Sequence, residues 1–156
     1  MVLIRASLKE SNLMPTAEHI LKEKGSGIYT TAPGTKVLDA VKKMDDRGIG
    51  ALVVVDGESV IGIFTERDLM RRVVVRERDP SAVTVGEVMT GSVYCCTSST
   101  RSDDLRALMR EKRIRHVPVV DDGRLVGLLS IGDLNIVHEK LNEETILYLQ
   151  QFMYKR

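Results

Sequence analysis

Two short runs hold the residues best suited to chemistry in this chain. Gly62-Ile63-Phe64-Thr65-Glu66-Arg67-Asp68 and Gly127-Leu128-Leu129-Ser130-Ile131-Gly132-Asp133 each place a hydroxyl three residues after a glycine and three before an aspartate. At a strand-to-helix corner this pair can act in two ways. In the plainer one, the hydroxyl caps the helix and the acid at its third position reaches back, a capping box. In the other, free N–H groups at the helix start hold a phosphate while the short carboxylate accepts two sugar hydroxyls, the usual grip on a nucleotide. The glycine in both runs allows another group to approach the backbone closely. The first run also carries Arg67, with Arg71 and Arg72 a turn later. A second basic cluster, Arg113-Ile114-Arg115-His116-Val117-Pro118, offers counter-charge to a phosphate, although a basic helix end is also favoured by the macrodipole alone.

Other arrangements for chemistry are poor. His19, His116 and His138 are spread out, without H-x-x-x-H or H-E-x-x-H spacing for a metal. There is no G-x-S-x-G elbow, no P-loop and no G-x-G-x-x-G run, and Gly48-Ile49-Gly50 reads as a helix end. Cys95 and Cys96 are adjacent and cannot staple distant elements. They read as two small residues on opposite faces of a strand, with a thiol redox switch as the alternative. Nothing here indicates an enzyme.

The two runs are the ends of a longer repeat. Residues 28–68 align on residues 93–133 without a gap, with ten identities in 41 positions, among them Tyr29/Tyr94, Asp39/Asp104, Val54/Val119, Gly62/Gly127 and Asp68/Asp133. A duplicated unit buries its apolar face against its twin, so two copies make one pseudo-symmetric domain. Each copy reads as a short leading strand, a helix, two strands and a helix. The leading strands fall at 28–30 and 93–95. Thr35 and Thr100 are placed as N-caps of helices with Val37, Ala40 and Met44, and Leu105, Leu108 and Met109, at helical spacing. Buried strands follow at 51–55 and 116–120, turn chemistry at Asp56-Gly57 and Asp121-Asp122-Gly123, and return strands at 60–64 and 125–129. Helices begin at once after these, over 66–75 and 131–140. Pro118 supplies no ladder N–H, so it marks an edge, a bulge or the start of a strand.

Flanking segments complete the organisation: a tail (1–13), copy one (14–75), a polar connector (76–83), copy two (84–138) and a C-terminal helix (139–156). Residues 84–89 open copy two as a short capped helix, and residues 16–21 play the same part for copy one. The first fifteen residues have no repeat partner, and the sequence does not decide whether they dock. Residues 141–154 form an amphipathic stretch with Ile146, Leu149, Gln150 and Met153 on one face, which packs on the domain or on a second subunit.

Bulk properties narrow the classes. With 156 residues and 43% apolar content the chain can bury one sizeable core. A net charge of +1, from 23 basic and 22 acidic residues, gives no global pull toward nucleic acid or membrane. Aromatics make up 4% with no Trp, so stacking platforms for single-stranded nucleic acid are lacking. No aliphatic stretch is long enough to span a bilayer, and no leader pattern opens the chain, so a soluble cytoplasmic protein is expected.

Taken together, 48–54, 62–68, 85–90, 113–119 and 127–133 resemble, in this order, the motifs of a tandem pair of cystathionine-β-synthase (CBS) domains, the Bateman module, in its stand-alone form. The resemblance covers roughly residues 14–138. It implies an α+β fold of two pseudo-twofold-related β-α-β-β-α motifs with two clefts between their sheets, usually as a homodimer. It also implies adenosine-bearing ligands: AMP, ADP, ATP, NAD(H) or S-adenosylmethionine. Carried over by position, Asp68 and Asp133 hold ribose hydroxyls, and Thr65 and Ser130 hold phosphate or ribose. Thr30, Thr31, Cys95 and Cys96 wall the adenine, and backbone near Gly50-Ala51 and Val117-Pro118 meets the base. Arg67, Arg115 and His116 face phosphate. Ile131-Gly132 stands where copy one has Glu66-Arg67, so the two sites are not equivalent. Family members usually regulate an attached enzyme or channel; a free-standing pair acts on a partner in trans.

Overall fold

The computed structural model describes residues 1–3, 14–25 and 27–153. In chain order the elements are β1 (Val2–Leu3), α1 (Ala17–Lys24), β2 (Thr30–Thr31), α2 (Val37–Arg47), β3 (Ala51–Asp56) and β4 (Ser59–Thr65), then α3 (Glu66–Asp68) running into a π-helical stretch (Leu69–Val74). Copy two follows with α4 (Val85–Val88), β5 (Tyr94–Cys95), α5 (Ser102–Lys112), β6 (His116–Asp121), β7 (Arg124–Ser130) and α6 (Ile131–Met153). The α+β reading with two β-α-β-β-α motifs holds.

Apolar runs on both faces place the two hairpins at the centre. β3 pairs antiparallel with β4 and β6 with β7, each with a register shift at the same repeat position, Val54/Val55 and Val119/Val120. Asp122 and Gly123 both have positive φ, the tight hairpin geometry that the Asp-Gly pair predicts. Pro118 accounts for the main difference between the sheets. Its counterpart Val53 donates its N–H to Tyr29 O at 3.2 Å, and β2 joins β3 over two residue pairs. Pro118 has no such hydrogen, and the matching contact shrinks to a bridge between Cys96 and Val119. β5 instead pairs in parallel with β1, so the start of the tail docks on copy two. Residues 4–13 lie outside the described residues.

The long helices begin one residue later than the threonine caps predict. Lys36 and Arg101 occupy the cap positions and neither caps with its side chain. The orphan N–H groups are met by backbone carbonyls from outside the helix. Val37 and Leu38 donate to Val83 O and Pro80 O, and Ser102 donates to Pro15 O at 2.9 Å. A carbonyl that arrives from a neighbouring segment is invisible to a local capping rule. Thr16 and Thr84, by contrast, form the capping boxes their positions suggest, with His19 and Glu87 as the returning side chains.

The two leading helices are exchanged in their packing. Ala17 and Ile20 of α1 lie in one core cluster with Leu105, Met109, Leu129 and Leu134 of copy two. Val85 and Val88 of α4 lie in another with Val37, Met44, Leu52 and Phe64 of copy one. A third cluster joins Ala51 and Ile63 to Val93, Cys95 and Val120 and so links the hairpins. One further feature repeats with the sequence: Arg47 sits over the Tyr29 ring at 5.5 Å and Lys112 over the Tyr94 ring at 5.6 Å, sixty-five residues apart.

Only the first half of α6 is covered by the domain. Leu134, Val137 and Leu141 pack on the core, whereas Ile146, Leu147, Tyr148 and Leu149 are all more than half exposed. Of the two coverings expected for this stretch, the domain does not supply one.

Candidate functional site

Both predicted corners form as capping boxes, and they differ in what else holds the aspartate. At Asp68, the Thr65 N–H and hydroxyl each donate to Oδ2 at 2.9 Å, and Asp68 N–H donates to Thr65 Oγ1 at 3.3 Å. Thr90 Oγ1 donates to Oδ1 at 3.0 Å, and Arg72 Nε lies 3.7 Å from the same oxygen. Asp68 is 7% exposed. Thr90 also ties its backbone to Ile63 through two N–H···O bonds of 2.9 and 3.0 Å, which closes that flank of the hairpin. Arg72 extends the tie by donating to Val88 O at 3.0 Å and to Met89 O.

At Asp133, the Ser130 N–H and hydroxyl donate to Oδ2 at 2.7 and 2.9 Å. The further partner here is a lysine, on the capping oxygen itself: Lys24 Nζ lies 2.7 Å from Asp133 Oδ2 and donates to Leu128 O at 3.0 Å. Burial acts to raise the Asp133 carboxyl, but Lys24 and the two Ser130 donors outweigh it and hold it below the usual carboxylate range. His116 stands opposite Ser130 in the β6–β7 register. Burial, followed by the charges of Lys24 and Arg115, keeps this imidazole below its ordinary value, so it is neutral at neutral pH.

A cavity of about 520 Å³ opens beside Lys24, between the end of α1 and β7. Lys24, Gly25, Gly27, Ile28, Gly127 and Leu128 line it, with Ser98 and Asp121 at the far end. Ser98 N–H donates to Asp121 Oδ1 at 3.0 Å, which fixes that end. The asymmetry has a simple origin in chain length. Thr16 precedes Tyr29 by thirteen residues, whereas Thr84 precedes Tyr94 by ten. The longer segment becomes an extra turn of α1, which has eight residues against four in α4, and that turn carries Lys24.

The remaining predicted residues divide between the cleft and the core. Glu66 N–H donates to Gly50 O at 3.1 Å and Ile131 N–H to Arg115 O at 2.9 Å, so each basic or glycine-rich strand start is bonded to the corner of its own copy. Arg67 crosses between copies, donating to Arg113 O at 3.2 Å, where Arg113 ends α5 in the left-handed conformation that Gly48 supplies in copy one. Thr30 is half-buried in β2, with Thr31 beside it at 8% exposure, and Ala51, Val117 and Pro118 are buried. Cys95 and Cys96 are fully buried in different clusters, on opposite faces as the sequence suggests. Burial raises both thiols, Cys96 to about 12. Among the described residues no group of three or more His, Cys, Asp or Glu is placed to hold a metal, and no helix is long and apolar enough to cross a membrane.

The family model for the CBS domain matches twice, at residues 25–75 and 85–137. The chain belongs to the CBS-domain family. This CBS pair is 38% identical over 151 residues to the mitochondrial CBS domain-containing protein CBSX3 of Arabidopsis thaliana, covering 88% of this chain and 73% of that one. An uncharacterised Methanopyrus kandleri protein is 33% identical over 109 residues, 69% of this CBS pair and 56% of its own length. Among solved structures, a candidate signal-transduction protein with CBS domains from Burkholderia ambifaria superposes with a TM-score of 0.73 at 49% identity, covering 76% of this chain and 90% of that one. The CBS domain pair of protein MJ0100, solved with 5-methylthioadenosine and S-adenosylmethionine, shares the fold at a TM-score of 0.72 and 24% identity, over 81% of this chain and 98% of that one.

Lys24 and Thr90 escaped the sequence reading because both fall before the gap-free repeat begins. The three-residue difference in spacing was the available signal.

Proposed function

We propose that this CBS pair is a non-enzymatic sensor that binds an adenosine-containing ligand (AMP, ADP, ATP, NAD(H) or S-adenosylmethionine) in the cleft at Asp133 and acts on a protein partner in trans. The observation that carries this reading is the open corner. Lys24 bonds Asp133 and also lines the 520 Å³ cavity, and the charges of Lys24 and Arg115 reach His116, which stands across from Ser130. In this reading Asp133 takes the ribose, Ser130 and the helix start take phosphate, and the basic groups balance its charge. A homodimer fits the exposed Met70 and Val74 on the π-helical stretch, Val75 just after it and Ile136 on α6.

Thermal unfolding with each ligand tests it, on the wild-type protein and on Asp133→Ala. Ligand at about 100 times its Kd adds ~2.7 kcal/mol, a rise of roughly 2–4 °C per kcal/mol. A rise with one nucleotide that Asp133→Ala removes supports the site. No rise with any of them sinks the sensor reading and leaves an assembly module, the role that the closed Asp68 corner favours. A thiol switch at Cys95 and Cys96 is disfavoured by their burial and raised thiols.

A further inference from the structure

Resting on that reading, we infer that Lys24 is a charge latch that makes the Asp133 cleft select phosphate-bearing adenosine ligands over neutral nucleosides and over the cationic S-adenosylmethionine. The argument starts from what Lys24 touches. Its ammonium lies on Asp133 Oδ2 at 2.7 Å and on Leu128 O at 3.0 Å, 109 and 104 residues away in the chain. The carboxylate is mostly covered and the lysine partly exposed, with 15% and 36% of the two side chains exposed. A lysine in the last turn of a helix is favourable by the dipole alone. The dipole does not explain why this one, itself in the wall of the cavity, reaches across to Asp133 of the other copy.

An incoming sugar competes with that ammonium for Asp133. A ligand without phosphate separates the pair and leaves Lys24 next to Arg115 and His116 with no anion to meet it, which is unfavourable. A phosphate gives Lys24 a new partner as the sugar takes the old one, so the ion pair is exchanged and not lost. S-adenosylmethionine can offer Lys24 its single carboxylate, but it brings a sulfonium and an ammonium with it and so gains less than a phosphate does. Copy one is built differently: Thr90, a neutral donor, holds Asp68 Oδ1, and its cation, Arg72, stands off at 3.7 Å and is tied to Val88 O.

Isothermal titration of the full chain with ATP, AMP, adenosine and S-adenosylmethionine tests the latch, using the wild-type protein, Lys24→Met, Lys24→Arg and Asp133→Ala. The wild type is expected to prefer ATP and AMP. Lys24→Met keeps the aliphatic stem and should shift the two classes in opposite directions, weakening ATP and tightening adenosine, each by roughly three- to tenfold. Lys24→Arg should retain the wild-type order. If Lys24→Met moves ATP and adenosine in the same direction, or moves neither while Asp133→Ala abolishes both, the latch is wrong and the binding site stands. If no adenosine ligand binds any variant, the proposed function falls and the latch with it.

Discussion

The corners at Asp68 and Asp133 share one local pattern and differ in what surrounds it. Both keep the hydroxyl, the aspartate and the reciprocal cap. Around Asp68 every neighbour is tied: Thr90 to the carboxylate and to Ile63, Arg72 to the carboxylate and to the end of α4. Around Asp133 a single, partly exposed lysine holds the carboxylate and also lines the cavity. A duplicated site can thus lose its opening without losing its signature, through a change in the length of a segment that lies outside the repeat.

The largest effect should come from Asp68→Ala. Its removal strands the Thr65 N–H and the Thr90 hydroxyl in a half-buried setting and frees Arg72 from one of its partners, at a cost of about 2–4 kcal/mol. Circular dichroism melts should show a fall of roughly 5–10 °C, with the ligand-induced rise of the wild type retained. Gly62→Ala comes next, because its new methyl meets Met89 Sδ and lies 3.1 Å from Thr90 O, a backbone atom that cannot swing away. About 1–3 kcal/mol should be lost. Gly127→Ala meets only the end of the Leu21 side chain, which can swing aside, and should lose less in the same melts.

Asp133→Ala should cost only about 1 kcal/mol, near the value of a cap, while abolishing ligand response. A loss as large as that of Asp68→Ala would erase the distinction between the corners.

A smaller effect lies in pH. His116 titrates below its ordinary 6.5 when folded, so the unfolded chain takes up the proton first as pH falls. Its contribution is complete above about 6.5 and is lost as pH drops from there toward the folded value. Wild-type melts should decline over that window, and His116→Ala, the residue of its counterpart Ala51, should be flatter. Asp133, held below 3.8, contributes a separate loss only in stronger acid. The smallest signal is expected from the thiols: a disulfide reagent at pH 8 should label neither Cys95 nor Cys96 until denaturant is added.

The hairpins, the capping boxes and the paired corners were legible because they depend on local rules: alternation of burial, Asp-Gly turns, a hydroxyl three residues before an acid. Thr35 and Thr100 misled because the helix starts take carbonyls from Pro80, Val83 and Pro15, which no local pattern reports. The stretch after Asp68 was read as an ordinary helix and is π-helical over Leu69–Val74. Lys24 was missed because its partner is 109 residues away. The proline in β6 was read as marking an edge, a bulge or a strand start, and it stands at an edge; the consequence, a two-stranded sheet where copy one has three, needed the partner strand in view.

The exchanged leading helices bear on how this protein can be divided. With α1 seated in the core of copy two and α4 in that of copy one, a cut in the connector yields two fragments that each lack an interior piece and carry one that has nowhere to go. Neither fragment expressed alone should fold, whereas the two mixed together should recover the native spectrum by complementation. The same interlock makes melting a single transition, and it delays folding until contacts far apart in sequence have met. In this molecule the heritable unit is the single motif, and the smallest piece that can stand alone is the pair.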